Sequence, residues 1–194
     1  MGRISLVAIG ISTGGPQILE KVLGGLPVDL AVPVVVAQHM PSGFSELLAK
    51  RLDGTSAIKV KEVEDGEKLS RATVYIAKTG QQICISCHND TFKAQIFEDH
   101  GELYKPSVDI LFKSLAQTPV VPTILGIIMT GMGNDGLQGA RELKAKGAHI
   151  IAESEKTCTV YGMPKAVIEA GLADKVEEAP DMAAVIMHLV GHQA

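Results

Sequence analysis

The feature that most constrains this chain is a set of three short runs built almost wholly from apolar, largely β-branched residues. They occupy residues 4–9, 32–37 and 124–129. These runs stay apolar at successive positions, which is typical of strands buried on both faces and not of half-exposed strands. Each run is followed by glycine-rich or polar residues and then by a helical pattern. The sequence therefore predicts a mostly parallel sheet covered by helices.

The predicted helices carry recognisable start and stop signals. Pro16 is favoured in the first turn of a helix, and Gly24 with Gly25 ends the pattern that follows it. Ser42 and Ser107 are predicted N-caps of two further helices. The other predicted elements are a helix over residues 137–146, a strand over 149–152 and short helices after residue 164 and over 181–188.

Residues 56–97 have a different pattern, with short strand-like runs separated by glycine, asparagine and aspartate turns. We interpret them as a β-rich hairpin insertion, with its turn at His88-Asn89-Asp90. The predicted fold is thus α/β, with three layers and a mostly parallel sheet flanked by helices. A chain of 194 residues is within the usual range for one domain, so we expect a single domain over residues 1–194.

Charge and hydropathy argue against several classes of partner. The net charge is -4, and the 18 Lys and Arg residues form no basic block, so we expect no nucleic-acid partner. The first apolar run ends at Gly10, too early for a signal segment or a membrane span, which predicts a cytoplasmic protein without direct membrane insertion. Three cysteines suit reduced thiols better than a disulfide framework.

Polar residues follow each of the three apolar runs and suggest an active site. Ser12 lies in Gly10-Ile11-Ser12-Thr13-Gly14, which has the spacing of a serine nucleophile on a strand-to-helix turn. His39 follows the second run, and Asp135 lies in the glycine-rich loop after the third. Since the carboxyl ends of parallel strands share one sheet edge, Ser12, His39 and Asp135 are predicted to form a nucleophile, base and orienting carboxylate.

Structural and cofactor-binding interpretations of these motifs remain open at this point. Ser12 also fits a helix N-cap, and His39 and Asp135 also fit structural hydrogen-bonding roles. Residues 131–136 match G-x-G-x-x-G, with Glu153 after the next strand, the pattern of an NAD(P)-binding oxidoreductase. Against it, the Asp135 carboxylate would repel a pyrophosphate. A C-x-x-C-H match at residues 84–88 is disfavoured as a haem or zinc site because the two thiols would face opposite sides of a strand.

Taken together, the site motifs resemble those of the protein-glutamate methylesterases of bacterial chemotaxis. The resemblance covers nearly the whole chain in order and is carried by five segments: residues 8–16, 38–41, 106–109, 130–136 and 161–164. It implies an α/β catalytic domain that hydrolyses γ-glutamyl methyl esters on the cytoplasmic helices of methyl-accepting chemoreceptors. Methanol would be released, and receptor glutamines are often deamidated by such enzymes as well.

The resemblance also implies roles for individual residues. Ser12 would be the nucleophile, His39 the base and Asp135 the orienting carboxylate. Met132 would lie beside the reacting carbonyl and offer its backbone N–H to the oxyanion, with Thr13 near the nucleophile. No metal or organic cofactor is expected. A non-catalytic receptor-binding module is the remaining alternative from another functional class.

The chain departs from the family pattern in two respects. Family members usually carry an N-terminal receiver domain, whereas the first predicted strand here begins a few residues after Met1, so we expect no receiver domain in this chain. The second departure is at residues 78–82, where the family tends to have Ala-Pro-Gly followed shortly by His, together with Lys105 in place of a common Arg. These positions are predicted to shape the receptor-binding rim.

Overall fold

Seven parallel strands form the central sheet in the part of the protein that the computed structural model describes, residues 3–99 and 101–191. Two further strands pair antiparallel as a separate hairpin. The strands are β1 (Leu6–Ile11), β2 (Val34–Gln38), β3 (Lys59–Glu62), β4 (Thr73–Ile76), β5 (Gln82–His88), β6 (Thr91–Phe97), β7 (Ile124–Ile128), β8 (His149–Glu153) and β9 (Lys175–Glu177). The hairpin consists of β5 and β6, and the central sheet has the order β3-β4-β2-β1-β7-β8-β9.

Helices cover both faces of this sheet. Among the described residues they are α1 (Gly15–Gly24), α2 (Ser45–Thr55), α3 (Val108–Ala116), α4 (Leu137–Ala145), α5 (Met163–Glu169) and α6 (Met182–Val190). Alternate residues of each strand point to opposite layers. Val7, Ile9 and Ile11 of β1 join a core with α1, α2 and α6, whereas Leu6 and Ala8 join a core with α3, α4, α5 and the hairpin. None of the described helices is long and apolar enough to cross a membrane.

The three-layer α/β prediction is confirmed, with a narrower hairpin than the sequence suggested. Within residues 56–97, β3 and β4 belong to the parallel sheet, and only β5 and β6 form the hairpin. The predicted turn is correct, since Asn89 and Asp90 connect the two strands with φ angles of 47° and 58°. Short strands in a turn-rich segment look alike in sequence whether they pair locally or join a distant strand such as β2.

The two predicted serine caps had different outcomes. Ser107 caps α3, and its Oγ accepts a hydrogen bond from the backbone N–H of Ile110 at 3.3 Å. The Ser42 prediction was wrong, because α2 begins at Ser45 after Phe44. Gly43, directly after Ser42, has a φ of 86°. This left-handed backbone conformation turns the chain before the helix begins.

The sheet order decides where the predicted site residues lie. Because β1 lies between β2 and β7, the carboxyl ends of these three strands are adjacent. Ser12 directly follows β1, His39 directly follows β2, and the loop holding Asp135 follows β7. The predicted convergence of these three segments at one edge of the sheet is confirmed.

Close packing between α3 and α4 leads to a prediction about stability. A Cβ on Gly139 would lie 2.4 Å from Cβ of Phe112 and 3.0 Å from the carbonyl oxygen of Asp109. Although alanine is the better helix former, Gly139→Ala should lower the free energy of unfolding by about 1–3 kcal/mol through overpacking. On α2, Gly54 has no heavy atom within 4 Å of such a Cβ, so Gly54→Ala should stabilise the fold by up to about 1 kcal/mol. Urea unfolding measures both, and stabilisation by both variants would contradict the close packing.

Candidate active site

Ser12 is partly buried on a tight turn between β1 and α1. Its backbone N–H donates to the carbonyl of Thr130 at 2.8 Å, which ties the turn to the end of β7. Gly14 adopts a φ of 84°, and a Cβ on Gly131 would lie 2.7 Å from Cβ of Ser12. The turn therefore requires glycine at position 14, and the close approach of the neighbouring loop requires glycine at position 131. Within the described residues, Oγ of Ser12 has no hydrogen-bond partner.

His39 and Asp135 form a buried pair. Nε2 of His39 and Oδ2 of Asp135 are 2.7 Å apart, and both side chains are almost fully buried. A carboxylate only accepts hydrogen bonds, so Nε2 carries the hydrogen and Nδ1 keeps its lone pair in the neutral imidazole. Nδ1 is buried and lacks a hydrogen-bond partner among the described residues. The imidazole is thus oriented by Asp135 and leaves one basic nitrogen available.

The start of α3 stabilises the negative charge of Asp135. The carboxylate accepts hydrogen bonds from the backbone N–H groups of Val108 and Asp109, at 2.7 and 2.9 Å, and from Oγ of Ser107 at 3.0 Å. Burial alone would raise the pKa of Asp135, but the hydrogen bonds with His39 and these amides outweigh it and hold the pKa below its ordinary value. The Pro-Ser-Val-Asp segment, residues 106–109, therefore places hydrogen-bond donors around the Asp135 carboxylate and stabilises its charge.

Tyr104 is a site residue that sequence reasoning missed. Its ring stacks on the imidazole of His39 with centroids 4.2 Å apart and planes inclined by 4°. Tyr104 precedes Lys105-Pro106-Ser107 in an irregular segment, where no periodicity indicates its direction. The stack and the Asp135 hydrogen bond together fix the plane of the imidazole.

The loop after β7 places Gly131, the residue before Met132, against the serine turn. Gly131 donates to the carbonyl of Val160 at 3.0 Å and accepts from the backbone N–H of Gly162 at 3.0 Å, so the Tyr-Gly-Met-Pro segment clamps this loop. The Met132 side chain is 66% exposed. The backbone N–H groups of Met132 and Thr13 have no acceptor within the part of the chain that the structure describes.

An open groove of about 550 Å³ lies beside His39. The groove is lined in part by Gly80 and Lys105, which belong to the segments that depart from the family pattern. Ser12 is not among its lining residues. Its wall also includes Tyr104 and the strongly exposed Leu103. The residues that line the groove are His39, Met40, Pro41, Ser42, Gly80, Glu102, Leu103, Tyr104 and Lys105.

Glu153 does not serve the role that a dinucleotide site requires. It is fully buried, accepting hydrogen bonds from the backbone N–H of Thr130 at 2.8 Å and from Oγ1 of Thr157 at 2.9 Å. Burial raises the pKa of Glu153, against the lowering effect of these hydrogen bonds. The carboxylate is therefore engaged inside the protein and does not face a ribose-binding crevice.

The C-x-x-C-H match at residues 84–88 lies on β5, the first strand of the hairpin. Cys84 and Cys87 occupy positions three residues apart on β5, which places them on opposite faces of the strand. Over residues 3–99 and 101–191, no cluster of three or more His, Cys, Asp or Glu side chains has an arrangement that could hold a metal ion.

Comparisons with known proteins agree with this fold and identify relatives of the chain. The CheB methylesterase family model matches residues 7–186. A protein-glutamate methylesterase/protein-glutamine glutaminase of Nitratidesulfovibrio vulgaris is 48% identical over 94% of this chain and 50% of its own length. One of the same name from Geobacillus kaustophilus is 48% identical over 96% of this chain and 54% of its own length.

A solved structure extends the similarity to three dimensions. The crystal structure of the Thermotoga maritima CheB methylesterase catalytic domain superposes with a TM-score of 0.92 at 39% identity. The match covers 97% of this chain and all of that domain. The chain spans about half the length of the curated relatives it matches. With a family match over most of its length and a close structural counterpart, this chain belongs to the CheB methylesterase family.

Proposed function

We propose that this chain is a single catalytic domain that hydrolyses the γ-glutamyl methyl esters of chemoreceptors and releases methanol. The observation that carries the proposal is the pairing of His39 with the buried Asp135 carboxylate, which leaves Nδ1 of His39 without a partner among the described residues. His39 and Ser12 follow neighbouring strands at the same edge of the sheet. The names of the relatives support the same reaction and add deamidation of glutamine. The setting would be bacterial chemotaxis, in the cytoplasm.

In the proposed reaction, Oγ of Ser12 attacks the ester carbonyl carbon while Nδ1 of His39 takes the hydroxyl proton. The negative charge that develops on the carbonyl oxygen would be stabilised by the backbone N–H groups of Met132 and Thr13. The C–O bond to the methoxy group breaks, and His39 returns the proton to form methanol. Water then repeats the sequence on the acyl-serine, which releases the glutamate carboxylate.

Ser12 and His39 are not hydrogen-bonded to each other in the structure. Ser12 and His39 directly follow two adjacent strands, and the residues just before them, Ile11 and Gln38, are paired in the sheet. Catalytic hydrogen bonds are commonly long in free enzymes and shorten when substrate binds. The register and the free Nδ1 therefore support a base that engages Ser12 in the substrate complex.

The cytoplasmic helices of methyl-accepting chemoreceptors are the proposed partner. An esterified side chain on a helix must reach Ser12 while the helix itself remains outside, which requires an open approach. The groove beside His39 is open and wide, and its Lys105 and Gly80 belong to the segments in which this chain departs from the family pattern. We therefore propose that the groove forms the receptor-binding rim.

Methanol release from methylated chemoreceptor-bearing membranes tests this proposal directly. Wild-type protein should release methanol, and a folded Ser12→Ala variant should not. Receptor binding without methanol release by the wild type would favour a non-catalytic binding module. Binding of NADH, detected by fluorescence enhancement or by protection from heat, would favour the oxidoreductase alternative.

The stack of Tyr104 on His39 gives a graded prediction. An aromatic pair contributes about 0.5–1.5 kcal/mol beyond its buried area, so Tyr104→Ala should lower kcat for methanol release by up to about tenfold. Tyr104→Phe keeps the ring and should stay within about threefold of the wild type. If Tyr104→Phe lost as much activity as Tyr104→Ala, the hydroxyl group and not the stack would be the important feature.

A further inference from the structure

The amide group of Gln38 bridges the two residues to which the nucleophile and the base belong. Its Nε2 donates to the backbone carbonyl of Ser12 at 2.9 Å and to that of His39 at 2.8 Å. Both hydrogens of one side-chain amide are thus used to connect the ends of β1 and β2. We propose that Gln38 is a positioning residue that sets the distance between Ser12 and His39, an inference that rests on the proposed function.

The bridge lies where the sheet ladder stops. Along β1 and β2, Val7 donates to Pro33, and His39 donates to Ile11. Continued in this register, the next bond would join the N–H of Thr13 to the carbonyl of His39. The chain instead turns into α1, and Nε2 of Gln38 supplies the donor for that carbonyl. The Gln38 side chain therefore supplies a hydrogen bond that the backbone ladder between β1 and β2 lacks at this position.

This replacement leaves a backbone donor available at the site. The N–H of Thr13 has no acceptor within the described residues, although the ladder would otherwise consume it. A free N–H directly after the nucleophile is the kind of donor that stabilises an oxyanion. Gln38 would thus orient Ser12 and His39 and also keep the Thr13 N–H unoccupied.

The surroundings of Gln38 hold its amide in this orientation. Gln38 is 1% exposed, so it is shielded from direct contact with substrate, and its Oε1 is buried without a hydrogen-bond partner among the described residues. A Cβ on Gly15 would lie 1.9 Å from Oε1 and 2.8 Å from Cδ of Gln38. Leaving a buried oxygen unpaired costs free energy, which indicates that the two donor bonds determine the side-chain position. Gly15 provides the space that this position needs.

Steady-state kinetics of methanol release distinguish a positioning role from a purely structural one. Gln38→Met keeps a similar volume but removes both donors, and small misplacements of reacting groups can cost about 100-fold in rate. We expect kcat to fall by about 10- to 100-fold while KM stays within about twofold, since Gln38 is shielded from the substrate. The control Val34→Ala, at the opposite end of β2, should destabilise the fold and leave kcat unchanged.

A second variant reaches the same bridge without removing the donors. Gly15→Ala should displace the Gln38 amide and lower kcat in the same way, with KM again unchanged. Thermal unfolding shows that each variant is folded at the assay temperature. If Gln38→Met and Gly15→Ala were folded and both kept the wild-type kcat, or changed only KM, the positioning role of Gln38 would be overturned. The proposed function would be unaffected by that result. Absence of turnover by the wild-type protein would instead overturn the proposed function and this inference with it.

Discussion

The Ser12→Ala variant should release methanol at least about 10⁴-fold more slowly than the wild-type protein, because the attacking oxygen is removed. His39→Gln should cause a loss of similar size, since Ser12 then has no base to accept its proton. Ser12 lies on a partly exposed turn and its Oγ makes no hydrogen bond among the described residues, so Ser12→Ala should unfold at the same urea concentration as the wild type.

A double variant tests whether the two residues act as one unit. In a serine–histidine pair the second substitution costs little once the first has been made, because neither residue functions alone. Ser12→Ala with His39→Gln should therefore be about as slow as either single variant. Rates are measured as methanol released from the same receptor membranes. Losses that multiply across the two sites, or substantial turnover by Ser12→Ala, would contradict a shared catalytic role.

The Asp135→Asn variant should lose both activity and stability. An amide can donate to Nε2 of His39, which favours the tautomer with hydrogen on Nδ1 and removes the lone pair needed to accept the Ser12 proton. On this ground we expect kcat to fall by about 10³- to 10⁴-fold. The new NH₂ group would also face some of the donors at the start of α3 that now bind the carboxylate. Loss of this buried charge partner should lower the free energy of unfolding by about 3 kcal/mol at pH 7.

The stability difference should depend on pH with a defined sign. The pKa of Asp135 in the folded protein lies below its ordinary value, because hydrogen bonds with His39 and the α3 amides outweigh the opposing effect of burial. Such a carboxylate stabilises the fold above about pH 4 and loses that contribution as the pH falls through its lower folded-state pKa. The gap between wild type and Asp135→Asn should thus be constant near neutrality and shrink below about pH 4.

Urea unfolding at pH 7 and at pH 3 measures this gap, with methanol release at pH 7 as the activity readout. Ser107→Ala is a suitable comparison, because it removes one donor to Asp135 and the α3 cap while leaving the carboxylate and His39 in place. It should cost about 1 kcal/mol of stability and far less activity than Asp135→Asn. A stability gap for Asp135→Asn that widened in acid would contradict the lowered pKa.

Much of the architecture follows from local sequence because strand burial leaves a strong local pattern. The runs that became β1, β2 and β7 are apolar at nearly every position, and the polar residues after them had to lie at the strand ends. The α/β fold and the meeting of the Ser12, His39 and Asp135 segments were predictable for this reason. The pairing of β3 and β4 with the main sheet was not, since a four-residue strand carries little information about its partner.

The sequence by itself determined which chemistry-bearing residues stand at the ends of the buried strands, because periodicity and glycine spacing are properties of neighbouring residues. Only the tertiary structure decided which groups orient them. The stack of Tyr104 on His39, the α3 amides around Asp135 and the bridge from Gln38 all join segments that are separate in the chain or lie in irregular backbone. Such contacts depend on how the strands and loops pack together, and no local periodicity encodes the direction of a single side chain in a loop.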